Sequence, residues 1–227
     1  MDVSIVMSTY NRAALLKTTL KSIVKQNFPS YEIVVVDDGN DTETSALCAE
    51  FSCKYFKLNR TQTGQFKNPA RPLNVGIRNS CGDIIIIQNP ECMHVEEDLI
   101  KKLTSLVTNT NAVFCRTWSL SPWGDVGQLY CGKELPRPFF FCGAIKRFWL
   151  EKIRGFDEDF VDYGYEDDDL AARLKREGVT FLFSDIEVYH QWHAPLQQGN
   201  WQRNEQMLQD KMNEPTIRNL GREWGAL

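Results

Sequence analysis

Apolar and polar segments alternate in a regular order along the first half of the chain. Short runs rich in apolar and β-branched residues predict strands at residues 3–7, 32–36, 55–58 and 83–87. Between them, apolar residues at helical spacing predict helices at residues 13–26, 42–50 and 74–80. The second of these strands is apolar on both faces, which is typical of a buried parallel strand.

This strand–helix alternation predicts an α/β fold of the Rossmann-like kind: one domain with a mainly parallel central sheet flanked by helices. Sheets of this class bind ligands in the loops beyond the carboxyl ends of their strands. The loops that follow Met7, Val36 and Ile87 are rich in Asp, Asn, Thr or Glu. We therefore expect a ligand site at these loops.

The second half of the chain is more irregular. The pattern predicts helices at 96–107, 147–153 and 167–177, and strands at 112–118, 139–145, 180–183 and 187–189. Residues 119–138 are rich in Gly, Pro and aromatic residues and predict a loop, and the polar tail from residue 197 predicts a helix. This loop and this tail are candidates for a mobile lid.

Composition excludes several classes of function. The 227 residues carry 26 Lys and Arg against 30 Asp and Glu, so bulk nucleic-acid or anionic-lipid binding is not expected. No apolar stretch reaches the roughly 20 residues of a membrane span. The seven cysteines form no Cys-x-x-Cys pair, which excludes a zinc ribbon and indicates reduced thiols in a cytoplasmic protein.

Two clusters could carry chemistry in the second half. Four adjacent carboxylates, Glu166 to Asp169, follow a turn of Tyr and Gly. They suit the first turn of a helix, where the macrodipole stabilises negative charge, and they also suit a catalytic pocket. His190 and His193 follow a predicted strand and could be metal ligands, proton carriers or structural hydrogen-bonding groups.

A third candidate lies at the end of the strand at 83–87, where Asn89-Pro90-Glu91 follows. Pro90 ends the strand pairing, and Glu91 falls where such a sheet binds its ligand. The segment is either a strand-terminating turn or a carboxylate that faces a cation, because Mg²⁺ and Mn²⁺ prefer oxygen ligands.

Nearly the whole chain resembles the inverting glycosyltransferases of family 2, which have the GT-A fold. The opening segment VSIVMSTYNR and the later EIVVVDDG are similar to the family's first two strands and their loops. The segment GFDE, followed by GYEDDD, resembles the acceptor-side motif of chondroitin-synthase-like and β4-galactosyltransferase-like enzymes. Tyr189-His190-Gln191 resembles the late metal-ligand His of the same group.

The resemblance implies a role for each matching residue. A nucleotide-sugar, most commonly a UDP-sugar, would lie across residues 1–91, and the acceptor, a glycan or another hydroxyl compound, across residues 92–227. Asp167 would be the general base. The implied nucleotide-binding residues are Thr9, Tyr10, Arg12, Asp37 or Asp38, Arg71 and Asn89. The implied acceptor-binding residues are Glu166 and Asp168, and the implied ligands of Mn²⁺ or Mg²⁺ are Glu91 and His190, with His193 as the second choice. Trp192 is a further acceptor-binding candidate, because aromatic rings pack well on the apolar faces of sugars.

One departure keeps an alternative open. The family carries Asp-x-Asp where this chain has Asn89-Pro90-Glu91, so one of two carboxylates is lost. The chain could therefore be a module of the same fold that binds a nucleotide or glycan without turnover. A nucleotidyltransferase is disfavoured, because no Gly-rich phosphate loop with Lys or Arg follows the first strand.

Overall fold

A computed structural model describes residues 2–58, 68–161, 163–194 and 201–227. The strands in these ranges are β1 (Val3–Thr9), β2 (Tyr31–Asp37), β3 (Lys54–Lys57), β4 (Ile84–Gln88), β5 (Cys92–His94), β6 (Asn111–Leu120), β7 (Val126–Cys131), β8 (Cys142–Lys146) and β9 (Thr180–His190). The helices are α1 (Ala13–Ile23), α2 (Glu43–Glu50), α3 (Ala70–Arg78), α4 (Leu99–Leu106), α5 (Arg147–Ile153), α6 (Glu166–Arg176) and α7 (Trp201–Lys211). None of them is long and apolar enough to cross a bilayer.

The strands form one sheet in the order β3-β2-β1-β4-β8-β6-β9-β5, and β7 pairs with β6. The first four strands of this order are parallel, as the strand–helix alternation predicts. The other half is mixed, because β8 runs antiparallel to both β4 and β6, whereas β9 is parallel to β6. The α/β fold is therefore confirmed, with parallel pairing throughout the first four strands and mixed pairing among the others.

Helices cover both faces of the sheet, which explains the unbroken isoleucine run of β4. Ile86 packs into the cluster that also contains α1 and α4 residues such as Leu20 and Leu103. Ile85 and Ile87 point the other way and pack with residues of α3, α5 and α6. Because both faces are covered, the four positions from Ile84 to Ile87 are all apolar, and the polar Gln88 comes only at the end of the strand.

Three predicted elements differ from the structure in the second half. The two short strands predicted at 180–183 and 187–189 are one strand, β9. Its register against β6 shifts between Phe114 and Arg116, where the Ser184 hydroxyl donates to the Phe114 carbonyl oxygen at 3.0 Å. The predicted loop at 119–138 contains β7, which forms a hairpin with β6, and the three-residue strand β5 was not predicted.

A buried ionic network joins α6 to the end of the chain. Arg173 is 1% exposed, and its Nη2 lies 2.7 Å from Asp169 Oδ2. Arg218 contacts Asp157 at 3.2 Å and Asp169 at 3.5 Å, and Lys211 of α7 contacts Asp157 at 2.7 Å. This network fixes α6, and with it the acidic residues at the start of that helix, against α7 and the final residues.

Candidate active site

A cavity of about 1100 Å³ opens at the carboxyl ends of β1, β2 and β4. Its opposite wall is formed by the start of α6 and by the segment that follows β9. The predicted site residues that line the cavity are Thr9, Tyr10, Arg12, Asp38, Asn89, Glu91, Glu166, Asp167, Asp168, His190, Trp192 and His193. The two halves of the chain thus meet at the predicted edge of the sheet.

Asp37 and Arg71 are the two predicted nucleotide-binding residues that do not line the cavity. The Asp37 carboxylate is fully buried and accepts hydrogen bonds from the Gly39 amide, the Tyr55 hydroxyl and the Lys57 ammonium group, all within 2.8 Å. Asp37 therefore holds the turn after β2 in shape. Asp38 is the member of the pair that reaches the cavity wall.

Asn11 was not predicted, and it connects the loops after β1 and β2. Its backbone has a φ of 53°, an uncommon value for a residue other than glycine. Its side-chain oxygen accepts hydrogen bonds from the amides of Asn40 at 2.6 Å and Asp41 at 3.2 Å. No local pattern around Asn11 indicates that its side chain would join these two loops, because its partners are distant in the sequence.

A strained turn aims the first residues of α6 into the cavity. Gly164 and Tyr165 have φ values of +78° and 70°, both in the left-handed region that favours glycine. Residues of α7 hold this turn, because the Asn204 amide group donates to the Gly164 carbonyl at 2.8 Å and the Tyr165 hydroxyl contacts Glu205 at 3.1 Å. Strain that the surroundings enforce in this way is common at functional sites.

The acidic run at the start of α6 divides between two tasks. Asp169 is buried against Arg173 and belongs to the ionic network. Glu166, Asp167 and Asp168 line the cavity, and the Asn68 amide group donates to Glu166 Oε2 at 2.8 Å. All four residues lie in the first turn of α6, as the helical interpretation predicts, and three of them also line the cavity, as the catalytic interpretation requires.

The pKa of Asp167 is raised well above its ordinary value, because the carboxylate loses solvation in the cavity wall and Glu166 adds a neighbouring negative charge. Loss of solvation also raises the pKa of Glu166, against a hydrogen bond from Asn68. The pKa of Asp168 is raised for the same reason, although the nearby Arg137 cation opposes the shift. A carboxylate with a raised pKa is a stronger base, as proton abstraction requires.

Glu91 is 1% exposed and forms an ion pair with Arg12, which precedes α1. Its Oε1 atom has no further hydrogen-bond partner among the described residues. The Glu91 carbonyl accepts hydrogen bonds from the Gln191 amide at 3.0 Å and from the Gln191 side chain at 3.1 Å. Neither the Arg12 ion pair nor the role of Gln191 was predicted, because both depend on contacts between distant segments.

His190 and His193 lie side by side, with their ring centroids 5.3 Å apart. The His190 ring also packs edge-on against Tyr130 and Phe141, at 5.5 and 5.8 Å. Loss of solvation lowers the pKa of His190 to about 4, and the positive charges of His193 and Arg12 add to the effect. Burial likewise lowers the pKa of His193, so both rings are biased towards the neutral form that binds metals.

The donor chemistry at this end of the cavity suits a divalent cation. Glu91 offers a buried carboxylate, and His190 and His193 offer imidazoles. In the part of the chain that the structure describes, no three His, Cys, Asp or Glu side chains are gathered closely enough to form a ready metal site. Instead, the Arg12 guanidinium forms an ion pair with the Glu91 carboxylate.

Two models of known protein families match the chain. The model of glycosyl transferase family 2 matches residues 4–156, about two thirds of the chain, and the chain belongs to this family. A second model, described as the N-terminal domain of galactosyltransferase, matches residues 130–194, which include the acidic run and both histidines of the cavity. The resemblance inferred from the sequence motifs is confirmed.

Curated relatives include a hyaluronan synthase and a chondroitin synthase. The chain is 28% identical to the hyaluronan synthase of Pasteurella multocida, over 83% of this chain and 24% of that protein. It is 27% identical to the chondroitin synthase of Escherichia coli, over 83% of this chain and 34% of that protein. The chain thus spans about a quarter to a third of the length of these two relatives.

Solved structures share the fold. A mannosyltransferase from Pyrobaculum calidifontis, PcManGT, in complex with GDP-Man and Mn²⁺, has a TM-score of 0.63 at 20% identity, over 82% of this chain and 56% of that one. Residues 1–349 of TarS from S. aureus in complex with UDP have a TM-score of 0.68 at 18% identity, over 85% of this chain and 61% of that one. These similarities support the GT-A-like architecture, with a mixed sheet flanked by helices.

Proposed function

We propose that this chain transfers a sugar from a nucleotide-sugar, with UDP as the preferred nucleotide, to a hydroxyl group of a glycan or similar acceptor, with inversion at the anomeric carbon. The observation that carries the proposal is the cavity itself. The loops after β1, β2 and β4 line one side of this cavity, and Asp167, whose pKa is raised, lines the other side. Neighbours of the same fold with GDP-Man and UDP bound support a nucleotide-sugar donor.

In the proposed reaction, Asp167 accepts the proton of the acceptor hydroxyl as that oxygen forms a bond to the anomeric carbon. The bond from this carbon to the donor's diphosphate breaks, and the nucleoside diphosphate leaves with the electron pair. Glu166 and Asp168 flank Asp167 and are suited to hold other hydroxyl groups of the acceptor. A positioned base of this kind contributes about 10²–10⁴-fold in rate.

Aromatic side chains at the same wall suit the apolar faces of a sugar. Trp192, Trp201 and Tyr163 all line the cavity, and each keeps 39–51% of its surface exposed. Tyr and Trp rings combine an apolar face with a polar edge, which suits contact with a sugar. Their position beside Asp167 supports an acceptor site there, with Trp192 as the predicted contact.

A divalent cation, Mn²⁺ or Mg²⁺, fits the donor set of Glu91, His190 and His193. When bound, it would supply Lewis-acid stabilisation of the leaving diphosphate. The Mn²⁺ in the PcManGT complex supports this part of the proposal. Thr9, Tyr10, Asp38 and Asn89 are the described cavity residues we assign to the nucleotide.

Nucleotide binding and turnover test this proposal together. We expect UDP to bind more tightly than GDP in calorimetric titrations, because the turn held by Asp37 presents Asp38 to the base. With a panel of UDP-sugars and Mn²⁺, we expect UDP release that is faster with an oligosaccharide acceptor than without one. GDP and ADP serve as matched ligands. Absence of binding by every nucleoside diphosphate would refute the function.

A binding module without turnover is the second candidate. Two observations favour it: Asn89-Pro90-Glu91 replaces the family's acidic pair, and Arg12 occupies the remaining carboxylate. The same experiment separates the two candidates. Tight UDP binding that is indifferent to Mn²⁺, with no donor hydrolysis and no transfer to any acceptor, would favour the module.

The pH dependence of turnover gives a separate prediction. Asp167 acts as a base only when ionised, and its raised pKa moves the acidic limb of kcat/KM to higher pH than an ordinary aspartate would give. The charge of Glu166 contributes to this shift. We therefore expect Glu166→Gln to move the acidic limb to lower pH in a kcat/KM profile.

Asp125→Asn is a matched control for this profile, because Asp125 lies exposed in the β6–β7 turn and does not line the cavity. It should leave the limb where the wild type has it. A limb that Glu166→Gln leaves in place, or moves to higher pH, would contradict the assignment of the limb to Asp167.

A further inference from the structure

Arg12 holds an unusual place in the candidate metal site. Its guanidinium contacts the Glu91 carboxylate, and the Arg12 side chain is 18% exposed against 2% for that of Glu91. Its positive charge also reaches both histidines, because it contributes to the lowered pKa of each. One side chain thus contacts Glu91 directly and lies within electrostatic range of His190 and His193.

The backbone around these groups is tightly fixed. The Gln191 amide and side chain both donate to the Glu91 carbonyl, and the Gln191 side chain also donates to the Leu15 carbonyl of α1 at 3.0 Å. β5 pairs with β9 so that Cys92 lies opposite His190. Glu91, His190 and the first turn of α1 are therefore joined through these hydrogen bonds, whereas Arg12 reaches the Glu91 carboxylate through its long side chain.

A divalent cation bound to Glu91 would lie next to the Arg12 guanidinium, which contacts the same carboxylate. The two positive charges would repel each other. We propose that Arg12 is an internal cation that competes with the metal for Glu91 and is drawn away by the donor's diphosphate. The guanidinium suits this exchange, because its planar fork matches both carboxylate and phosphate oxygens. This inference rests on the metal-assisted function proposed above.

The exchange couples two binding events. Without a nucleotide, Arg12 neutralises Glu91 and keeps metal affinity low. With the diphosphate present, Arg12 turns to the phosphate oxygens and releases the carboxylate, so the metal binds more tightly. By thermodynamic reciprocity, the metal raises nucleotide affinity by the same factor. The site would thus remain closed to the metal until the donor arrives.

Calorimetric titration of Mn²⁺ into the full chain, with and without UDP, tests the exchange. We expect Arg12→Gln to bind Mn²⁺ more tightly than the wild type when UDP is absent, by a factor within the roughly 5- to 150-fold range typical of coupled sites. UDP should strengthen Mn²⁺ binding in both proteins, because its phosphates supply ligands. The strengthening should be smaller in Arg12→Gln, since the carboxylate is already free.

Lys17→Gln is the matched control, since it removes one positive charge from the exposed face of α1, 3.9 Å from Glu50. It should titrate like the wild type. Mn²⁺ binding without UDP that is unchanged or weaker in Arg12→Gln, or absent from both proteins, would overturn the proposal. Were Arg12→Gln unfolded by circular dichroism, Mn²⁺ binding to the wild type that UDP leaves unchanged would overturn it as well.

The Mn²⁺ titration without nucleotide also separates this inference from the proposed function. Tighter Mn²⁺ binding by Arg12→Gln would support the competition between Arg12 and the metal. If the protein at the same time neither bound UDP nor released it from UDP-sugars, the transferase function would be refuted. Sugar transfer by the wild type, together with an unchanged Mn²⁺ affinity in Arg12→Gln, would support the transferase function and refute the competition.

Discussion

Asp167→Asn should lower sugar transfer by about 10²–10⁴-fold while leaving UDP affinity close to that of the wild type. The substitution keeps the shape of the side chain and removes the group that accepts the proton. The residues that we assign to the nucleotide, Thr9, Asp38 and Asn89, lie at the ends of β1, β2 and β4 and are not altered by a substitution in α6. Transfer is measured as UDP release with acceptor, and binding as a calorimetric UDP titration.

Asp168→Asn provides the matched control, because it makes the same change at the next residue of α6. If Asp168 only holds acceptor hydroxyl groups, the control should raise the KM for acceptor more than it lowers kcat. Near-normal turnover in Asp167→Asn would remove the residue from the role of base. Loss of UDP binding in that variant would instead indicate a structural role for the carboxylate.

Arg173→Met should destabilise the protein by about 3–5 kcal/mol, because it leaves buried charges and carbonyl groups without their partner. Arg173 contacts the Asp169 carboxylate and donates to the carbonyl oxygens of Ile153, Gly155 and Thr216 at 2.9–3.3 Å. Methionine fills similar space but satisfies none of these groups. Equilibrium unfolding in guanidinium chloride measures the change in free energy of unfolding.

Lys175→Met is the control, since Lys175 lies on the same helix and is exposed. Its effect should stay within about 0.5 kcal/mol, as is usual for surface positions. A loss of less than about 1 kcal/mol in Arg173→Met would mean that the network contributes little. The remaining contact of Asp169 with Arg218, at 3.5 Å, would then be enough to hold it.

Periodicity predicted the first half of the fold well, because its strands and helices alternate and each strand pairs with a parallel neighbour. The apolar run in the predicted strand at 32–36 indicated a strand buried on both faces, as Val34 and Val35 confirm by packing into different core clusters. The other half was harder to predict. Its strand order depends on β8 entering between β4 and β6, a long-range pairing with no local pattern. β9 was divided in two because its irregular residues interrupt the alternation.

The candidate site was predicted as a set of residue types at strand ends, and most of that set lines one cavity. What the sequence could not provide was the partner of each group. Asp37 and Asp38 are adjacent and chemically identical, yet one is enclosed by Tyr55 and Lys57 and the other reaches the cavity. The pairing of Arg12 with Glu91 joins residues from two loops that are distant in sequence, and only the sheet order brings them together.

The insertion of β8 has a consequence for how this protein can be divided. Residue 91 is the boundary that we propose between donor-binding and acceptor-binding residues, but β8 pairs with β4 on one side and β6 on the other. A fragment that ended at residue 91 would leave the isoleucine-rich β4 with an open edge, and such edges recruit other chains. Each half completes the sheet of the other, because β8 pairs with strands of both. Neither half could therefore be exchanged alone between related enzymes.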